Sequence, residues 1–294
     1  MFVSLNMSSN LSIKQAILPA FYFFLQTLYY NKTMEVLLMQ IYHETHFVEN
    51  EKARIFIVHG IAEHSKRYDH VVGFLNANGY SVITFDLRGH GKSEGKRGYI
   101  NKYEVFLVDI HELFHKYHSN HVKNILLGHS MGGLITHLYM ITYDDFDACI
   151  VSGAPTDFIK DVSLLRFIGF RYFGFIYKKN ELSYGKLSHI KDIETNYMND
   201  PLVLKSFSIR LVGEMFVRGV RHLKAKHHLN RKPILILHGK LDKIVPAKFS
   251  EAMFHKLPQK KKLLKIYEND FHEILNEVNQ NEVLTDIKTW IDSL

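Results

Sequence analysis

Short apolar runs alternate with amphipathic segments along most of the chain, and this alternation restricts the fold more than any other feature of the sequence. The apolar runs lie at 54–58, 81–87, 123–127, 147–151, 233–237 and 262–267. Helical patterns separate them, and an apolar stripe from 283 to 294 predicts a terminal helix. Apolar strands that alternate with helices are typical of a mostly parallel sheet with helices on both faces. The sequence therefore predicts an α/β fold.

The alternation is interrupted between residues 156 and 229, where the strand signals disappear. We predict that residues 156–229 form a helical cap inserted into an α/β core, which then comprises residues 34–155 and 230–294. With 294 residues, of which 46% are hydrophobic, the chain can bury a core of this size. Residues 1–33 precede the core as an apolar N-terminal extension.

The strongest candidate for a reactive group follows the apolar run KNILL at 123–127. That predicted strand leads directly into GHSMGG (128–133), and an apolar helical pattern begins at once. A G-x-S-x-G motif between a strand and a helix forms a sharp turn that exposes the serine above the sheet. The amide groups at the helix N-terminus favour negative charge that develops there. We therefore predict that Ser130 is a nucleophile.

A serine hydroxyl is a weak nucleophile, so it needs a base and an acidic residue that orients the base. In folds with this turn, the acid and then the histidine follow the serine along the chain. Asp242 follows the apolar run PILIL, and His272 follows the last predicted strand. We predict that Ser130, Asp242 and His272 form a triad. Asp270 is the alternative acid, although it lies only two residues before the histidine.

Two backbone amides are candidates for binding the oxyanion that forms during acyl transfer. One is the amide of Met131, which directly follows the predicted nucleophile. The other lies in the loop His59-Gly60-Ile61 after the first central strand, where we predict the amide of Ile61. Both assignments follow from the position of the serine turn relative to the neighbouring strand.

A rival chemistry is suggested by the stretch HELFHKYHSNH, which begins at His111. His111, Glu112 and His115 match the H-E-x-x-H pattern of zinc proteases, and His121 occupies the place of a third ligand. That pattern also requires a glycine where this sequence has His118. The predicted helix moreover packs on the flank of the sheet. We therefore predict no catalytic metal, and favour a histidine stripe that binds metal adventitiously.

Five stretches carry a family resemblance. They are HGIAEHSKRY (59–68), FDLRGHGKSEG (85–95), LLGHSMGG (126–133), YMNDPLV (197–203) and HGKLDKIVP (238–246). Together they resemble the α/β-hydrolases, in particular the monoacylglycerol lipase and lysophospholipase branch of hydrolases similar to the S33 serine aminopeptidases. The resemblance implies a mostly parallel eight-stranded sheet flanked by helices, with a lid inserted after the strand that ends near Ser152. It also implies the Ser130–Asp242–His272 triad, with no metal and no cofactor.

The resemblance also implies a substrate class. It suggests that Glu63 and Arg67 help to build the polar end of the pocket. The expected reaction is hydrolysis of carboxylic esters of single-acyl lipids, monoacylglycerols or lysophospholipids, through an acyl-enzyme. A general carboxylesterase or thioesterase for smaller acyl groups is the alternative enzyme. A catalytically silent lipid-binding relative is the alternative from another class, and the intact set of triad residues argues against it.

Charge and cysteine content limit the partners. The formal net charge of +7 arises from scattered basic residues without a nucleic-acid-binding motif, so we expect no nucleic-acid partner. The same charge favours weak attraction to an anionic membrane surface. The single cysteine, Cys149, cannot form an intramolecular disulfide, which fits a reducing, cytoplasmic location. The sequence makes no prediction of oligomeric state.

The N-terminal extension contains the stretch AILPAFYFFLQTLYY at 16–30. It is shorter than the roughly 20 apolar residues that a spanning helix needs, and it lacks the basic start and small residues of a signal peptide. Two interpretations stay open: an interfacial anchor, or translation that starts at Met34. An anchor would act together with the aromatic cap stretch at 162–179 to give peripheral contact with a membrane.

Overall fold

A seven-stranded sheet forms the centre of the computed structural model, which describes residues 39–162, 164–167, 169–183 and 185–294. The strands are β1 (His43–His46), β2 (Ala53–Val58), β3 (Tyr80–Phe85), β4 (Lys123–His129), β5 (Ala148–Ser152), β6 (Tyr177–Lys179), β7 (Ser206–Ser208), β8 (Ile234–Gly239) and β9 (Lys262–Tyr267). The order in the sheet is β1-β3-β2-β4-β5-β8-β9. The pair β1–β3 is antiparallel and the other neighbours are parallel. The resemblance implied eight strands in this sheet, and the described residues supply seven.

Helices cover both faces of this sheet, as the alternation of the sequence predicts. The helices are α1 (Asp69–Ala77), α2 (Glu104–Tyr117), α3 (Met131–Met140), α4 (Lys191–Asn199), α5 (Ile209–Gly213), α6 (Val220–Lys226), α7 (Lys248–Lys256) and α8 (Gln280–Asp292). Short 3₁₀ turns lie at Ser65–Tyr68, Lys160–Val162, Leu164–Arg166, His227–Leu229 and Ile274–Asn276. A π-helical segment, Glu214–Gly219, joins α5 to α6.

The core consists of two apolar layers, one on each face of the sheet. Phe56 and Val58 of β2 pack in the layer that contains α2 and α3, whereas Ile55 and Ile57 pack in the layer that contains α1 and α8. This division follows from the two-residue repeat of a strand, which sends successive side chains to opposite faces. Cys149 is fully buried in the first layer, and burial raises the pKa of its thiol to about 12.

The described residues between β5 and β8 add no strand to the central sheet. They contribute α4, α5, the π-helical segment and α6, together with a small antiparallel ribbon of β6 and β7. The predicted extension, residues 1–33, lies outside the described residues. The interfacial anchor and the translation start at Met34 both concern this part of the chain and stay predictions. None of the helices formed by the described residues has the length and apolar character needed to span a bilayer.

Candidate active site

Ser130 lies on a sharp turn between β4 and α3. Its φ of 52° and ψ of −118° are values that residues other than glycine rarely adopt. Two neighbouring glycines permit the close packing around the turn. A Cβ on Gly128 would collide with the carbonyl of Gly132, and a Cβ on Gly132 would collide with the carbonyl of Val58. Such a strained strand-to-helix turn is typical of serine nucleophiles.

A hydrogen-bonded chain of three side chains begins at this serine. The Nε2 atom of His272 is 2.8 Å from Ser130 Oγ, and its Nδ1 atom is 2.6 Å from Asp242 Oδ2. Ser130 follows β4, Asp242 follows β8 and His272 follows β9, so loops at the carboxyl ends of parallel strands carry all three. The side chains of Asp242 and His272 are 0% and 4% exposed, so both are separated from bulk water.

The surroundings of Asp242 keep its carboxylate ionised. Burial alone would raise its pKa, but the charge of His272 and the hydrogen bonds of His238 and His272 outweigh burial and lower the pKa well below the ordinary value. Its Oδ1 atom accepts hydrogen bonds from the amides of Ile244 and Val245, both at 2.8 Å. Its Oδ2 atom also lies 3.0 Å from Nε2 of His238. The carboxylate is therefore fixed in position as well as in charge.

The imidazole of His272 is suited to accept a proton from Ser130. Burial would lower its pKa, but the Asp242 carboxylate outweighs burial and raises the pKa above the ordinary value of 6.5. Because Nδ1 faces an ionised carboxylate, the neutral ring carries its proton on Nδ1. Its Nε2 atom then presents a lone pair to the serine hydroxyl, which is the geometry of a general base.

Asp270, the alternative acid, makes no hydrogen bond to His272 in the described part of the chain. Its Oδ2 atom is buried without a partner among the described residues. Burial, and then the charge of Glu277, raises the pKa of Asp270 to about 6. Its backbone carbonyl accepts a hydrogen bond from the amide of Leu241 at 2.9 Å. Asp270 thus supports the loop that carries Asp242, whereas Asp242 itself contacts the imidazole.

The two predicted oxyanion donors belong to segments that border Ser130. Met131 follows it directly as the first residue of α3. The loop after β2 also runs against the serine, because a Cβ on Gly60 would lie 3.2 Å from the Cβ of Ser130. Ile61 in this loop lines the same cavity as Ser130. The fold therefore brings both segments to the reacting atom.

A cavity of about 210 Å³ adjoins Ser130 and His272. Most of its wall is apolar, and much of that wall comes from the chain between β5 and β8. The apolar residues of this part of the wall include Ile159, Val162, Leu165, Leu182, Phe207, Val212 and Phe216. Mostly apolar walls with a few placed polar groups are typical of sites for small molecules.

Two carboxylates, Glu63 and Glu273, form a polar part of the cavity wall. Arg67 binds both, with its Nε atom 3.0 Å from Glu63 Oε2 and one terminal nitrogen 2.5 Å from Glu273 Oε2. Glu63 also accepts hydrogen bonds from the Gly60 amide and, at 2.8 Å, from the Tyr68 hydroxyl. Burial would raise the pKa of Glu63, but the charge of Arg67, together with the charges of His129 and His59 and the hydrogen bond from the Gly60 amide, outweighs burial and lowers the pKa to about 2.

Arg67, which the resemblance assigned to the polar end of the pocket, contacts that end through Glu63 and Glu273. It is not among the described residues that line the cavity, whereas Glu63 is. Its guanidinium lies over the ring of Tyr197, 4.8 Å from the ring centroid, and Tyr197 does line the cavity. Arg67 therefore acts on the cavity through the residues that it holds.

Comparison with known protein families decides the classification. Residues 49–279 match the model of the family described as serine aminopeptidase, S33. The chain belongs to the S33 family. The matched range contains Ser130, Asp242 and His272, together with the whole segment between β5 and β8.

Curated relatives of this S33 hydrolase include lipases. A monoacylglycerol lipase of Mycolicibacterium smegmatis is 28% identical over 245 residues, which cover 81% of this chain and 88% of the relative. A monoglyceride lipase of Rattus norvegicus is 28% identical over 251 residues, 82% of each chain. The crystal structure of Paleococcus ferrophilus monoacylglycerol lipase matches with a TM-score of 0.79 at 28% identity, over 87% of this chain and 99% of that one.

These comparisons confirm the predicted α/β-hydrolase fold and the monoacylglycerol lipase branch. The S33 hydrolase described here is a carboxylic ester hydrolase.

Two polar residues of the cavity wall were not identified from the sequence of this S33 hydrolase. Glu273 follows His272 directly, and His129 precedes Ser130 directly, so adjacency to a predicted triad residue was the available signal. Burial, and then the charge of His272, lowers the pKa of His129 to about 3, which keeps it neutral. Its Nδ1 atom lies 3.3 Å from Ser152 Oγ.

The HELFH stretch of the S33 hydrolase lies on α2, away from this cavity. None of the histidines between 111 and 121 is among the described residues that line it. His121, in the place of a third ligand, lies in the loop after the helix and outside the group formed by His111, His115 and Asp145.

Proposed function

We propose that this S33 hydrolase cleaves carboxylic esters of lipids with one acyl chain, monoacylglycerols or lysophospholipids. The observation that carries the proposal is the hydrogen-bonded chain of Ser130, His272 and Asp242 beside a mostly apolar cavity. The apolar wall suits a single acyl chain, and the ionised Glu63 suits hydroxyl groups of an alcohol. The names of the relatives, monoacylglycerol lipase and monoglyceride lipase, support the same substrate class.

In the proposed first half-reaction, Ser130 Oγ attacks the ester carbonyl carbon while Nε2 of His272 takes the hydroxyl proton. The tetrahedral oxyanion accepts hydrogen bonds from the amides of Ile61 and Met131. When this intermediate collapses, the bond to the alcohol oxygen breaks and Nε2 returns the proton to that oxygen. The alcohol departs, and the acyl group stays on Ser130.

In the second half-reaction, water attacks the acyl-enzyme and His272 again takes the proton. Collapse of the second tetrahedral intermediate releases the fatty acid and restores the Ser130 hydroxyl. Asp242 holds the proton on Nδ1 of the neutral ring and stabilises the imidazolium that forms in each half-reaction. The same interaction with Asp242 raises the pKa of His272.

We further propose that residues 156–229 act as a cap over a core of residues 34–155 and 230–294. In support, this segment supplies much of the cavity wall, while the triad residues lie outside it. The segment is also tied to the core, for example by the amide of Leu204, which donates to the carbonyl of Ala62 at 2.8 Å. In this arrangement the cap determines which acyl chains fit, and the core performs the chemistry.

A substrate panel tests the proposed specificity. We expect kcat/KM for long-chain monoacylglycerols or lysophospholipids to exceed that for diacylglycerols, because the apolar cavity that the described residues form beside Ser130 has a volume of only about 210 Å³. The panel would also include short nitrophenyl esters and acyl thioesters. Higher kcat/KM for the short esters or thioesters would replace the proposal with a general carboxylesterase or thioesterase. No turnover of any ester would favour a lipid-binding protein.

The polar part of the cavity leads to a second expected result, for Glu63→Gln. Loss of a hydrogen bond to a charged group costs about 1.5–3 kcal/mol, roughly 10–100-fold. We expect kcat/KM for monoacylglycerol to fall by about that factor and by much less for a nitrophenyl ester, whose leaving group offers no hydroxyls.

Glu273→Gln is the matched control for Glu63→Gln, because both carboxylates line the cavity and both bind Arg67. Equal losses on both esters in Glu63→Gln would mean that Glu63 serves the loop instead, through its hydrogen bond with the Gly60 amide.

Membrane contact is a further part of the proposal. Several large apolar side chains of the cap stretch face solvent: Leu164, Phe167, Tyr172, Phe173, Phe175 and Ile176. Phe167 is 82% exposed and Phe175 is 73% exposed. Basic residues are interleaved with them, and Lys179 is also exposed. This composition suits a surface that inserts among lipid head groups, where the substrates reside.

Liposome binding tests the membrane contact. The double variant Phe167→Ser/Phe175→Ser should bind anionic liposomes at least about 10-fold more weakly, since burying a Phe side chain contributes roughly 1.5–3 kcal/mol. The wild type should bind anionic liposomes more strongly than neutral ones, and its binding to the anionic liposomes should decline with salt. Val278→Ser, at a residue that is 78% exposed outside the cap, is the control. Unchanged binding of the double variant would remove the cap from the membrane proposal, and a chain starting at Met34 tests residues 1–33 separately.

A further inference from the structure

A pair of histidines on α2 lies outside the ester-cleaving machinery. His111 and His115 are one turn apart, and their Nε2 atoms are 3.0 Å from each other. The two rings are close to perpendicular, with an angle of 80° between their planes. His115 is exposed and His111 is half-buried, so a small ion can reach the space beside both Nε2 atoms.

The other nitrogen of His111 has a fixed partner. Its Nδ1 atom lies 2.9 Å from Asp145 Oδ2, and the Tyr139 hydroxyl donates to the same carboxylate oxygen at 2.8 Å. Since an ionised carboxylate only accepts hydrogen bonds, Nδ1 of His111 must carry a proton. The neutral ring therefore has its lone pair on Nε2, which accepts a hydrogen bond from Nε2–H of His115 in the metal-free protein. Binding of an ion replaces this hydrogen bond and requires His115 to carry its ring proton on Nδ1 instead. Tyr143 stacks on the His111 ring at 4.1 Å and 17°, which fixes the ring orientation.

We propose that Nε2 of His111 and Nε2 of His115 bind one divalent transition-metal ion, with Asp145 orienting His111 from behind. Two nitrogens bound to the same tetrahedral zinc ion lie about 3.3 Å apart, so the observed separation needs to open by only a few tenths of an ångström. Histidines at i and i+4 of a helix are a known zinc-binding pattern. A carboxylate on the far nitrogen of a ligating histidine is the usual support for such a site.

The second oxygen of the Asp145 carboxylate also supports this assignment. This oxygen, Oδ1, is buried and has no hydrogen-bond partner among the described residues. A positive ion on His111 would offset the desolvation of this carboxylate, because the imidazole ring would carry part of the ion's charge toward it. The same three residues form a group whose potential ligand atoms all lie within 4.8 Å of one another.

The chemistry of the donors selects the ion. Imidazole nitrogens suit Zn²⁺, Ni²⁺ and Cu²⁺, whereas Mg²⁺ and Ca²⁺ prefer oxygen ligands. With two protein nitrogens, water completes the coordination. None of these residues is among the described residues that line the ester-cleaving cavity, so the site is separate from hydrolysis. A bound ion would bridge two turns of α2 and, through Asp145, tie the helix to the loop before β5.

Metal binding to the untagged full-length protein tests this site. Titration calorimetry with ZnCl₂ and NiCl₂ should show one site whose affinity falls at least 100-fold in His115→Ala. His115 is exposed, and equal Tm values for the metal-free proteins would show that this variant folds. Asp145→Asn should weaken binding by about 10–100-fold. His121→Ala is the matched control and should bind like the wild type, while MgCl₂ should not bind at this site.

The same measurements can overturn the proposal. If His115→Ala binds zinc and nickel as the wild type does, the ions occupy others of the 19 histidines and the site is wrong. If Asp145→Asn retains wild-type affinity, the supporting role of the carboxylate is wrong. The Tm of the wild type should rise with ZnCl₂, because an ion that binds only the folded state stabilises it. A rise of equal size in His115→Ala would also contradict the assignment.

Discussion

Replacing Ser130 with alanine is expected to lower kcat for ester hydrolysis by about 10⁴- to 10⁶-fold and to abolish labelling by a fluorophosphonate. The reason is the loss of the attacking oxygen, which lies 2.8 Å from Nε2 of His272 in the wild type. Without it, an acyl-enzyme cannot form, and any remaining rate reflects water attack assisted by the oxyanion site. Stopped-assay kinetics and mass spectrometry of the labelled peptide measure both effects.

Two controls give the Ser130→Ala result its meaning. Ser81→Ala removes another buried serine, on β3, whose hydroxyl accepts a hydrogen bond from the amide of Val48, and it should retain labelling and activity. Treatment of the wild type with EDTA should leave ester hydrolysis unchanged, because the proposed steps use only protein groups and water. Retained hydrolysis in Ser130→Ala, or loss of activity in EDTA with recovery in zinc, would refute the serine mechanism.

The α/β architecture can be predicted from the sequence because buried parallel strands are continuous apolar runs. The run at 54–58 coincides with all but the first residue of β2, and KNILL with the start of β4. β1 could not be predicted in this way, because it has no apolar run. Its sequence, HETH, is polar and mostly half-exposed, and it becomes a strand by pairing with β3 at the antiparallel edge of the sheet. Pairing of that kind depends on the partner strand rather than on the local pattern.

The segment between β5 and β8 shows a related limit. The sequence predicts helices there, and the structure adds the ribbon of β6 and β7. Each of these strands has three residues, too few for a period of two to stand out. Their register pairs Tyr177 with Ser208, which are 31 positions apart in sequence. Such a contact is set by the tertiary arrangement of the segment and has no local signature.

The candidate site divides in the same way. The grouping of Ser130, Asp242 and His272 could be predicted because each lies in the loop after a predicted strand, and parallel strands end at a common edge. Glu273 could not, because its position in the cavity wall depends on Arg67, 206 residues earlier in the chain. His238 is a second example: it lies on β8, and its contact with Asp242 is visible only in the folded loop.

Replacing Asp242 with asparagine is expected to lower kcat by about 10⁴-fold, because an amide no longer holds the proton on Nδ1 of His272. The pH profile should also change. In the wild type the Asp242 carboxylate raises the pKa of His272 above 6.5, so kcat/KM falls as the pH drops through that raised value. Without the carboxylate, burial is the main influence left and lowers the pKa. The acidic limb of kcat/KM should therefore move to lower pH.

Asp270→Asn is the matched control for Asp242→Asn, since it removes a carboxylate of the neighbouring loop that does not contact the imidazole. Its kcat should stay within a few-fold of the wild type, and its acidic limb should not move. A larger loss in Asp270→Asn than in Asp242→Asn, or a shift of the acidic limb only in Asp270→Asn, would identify Asp270 as the orienting acid. A loss of activity in Asp242→Asn without a shift of the acidic limb would mean that the carboxylate supports the loop through the amides of Ile244 and Val245. Only an effect of the carboxylate charge on His272 requires the pKa of His272 to change.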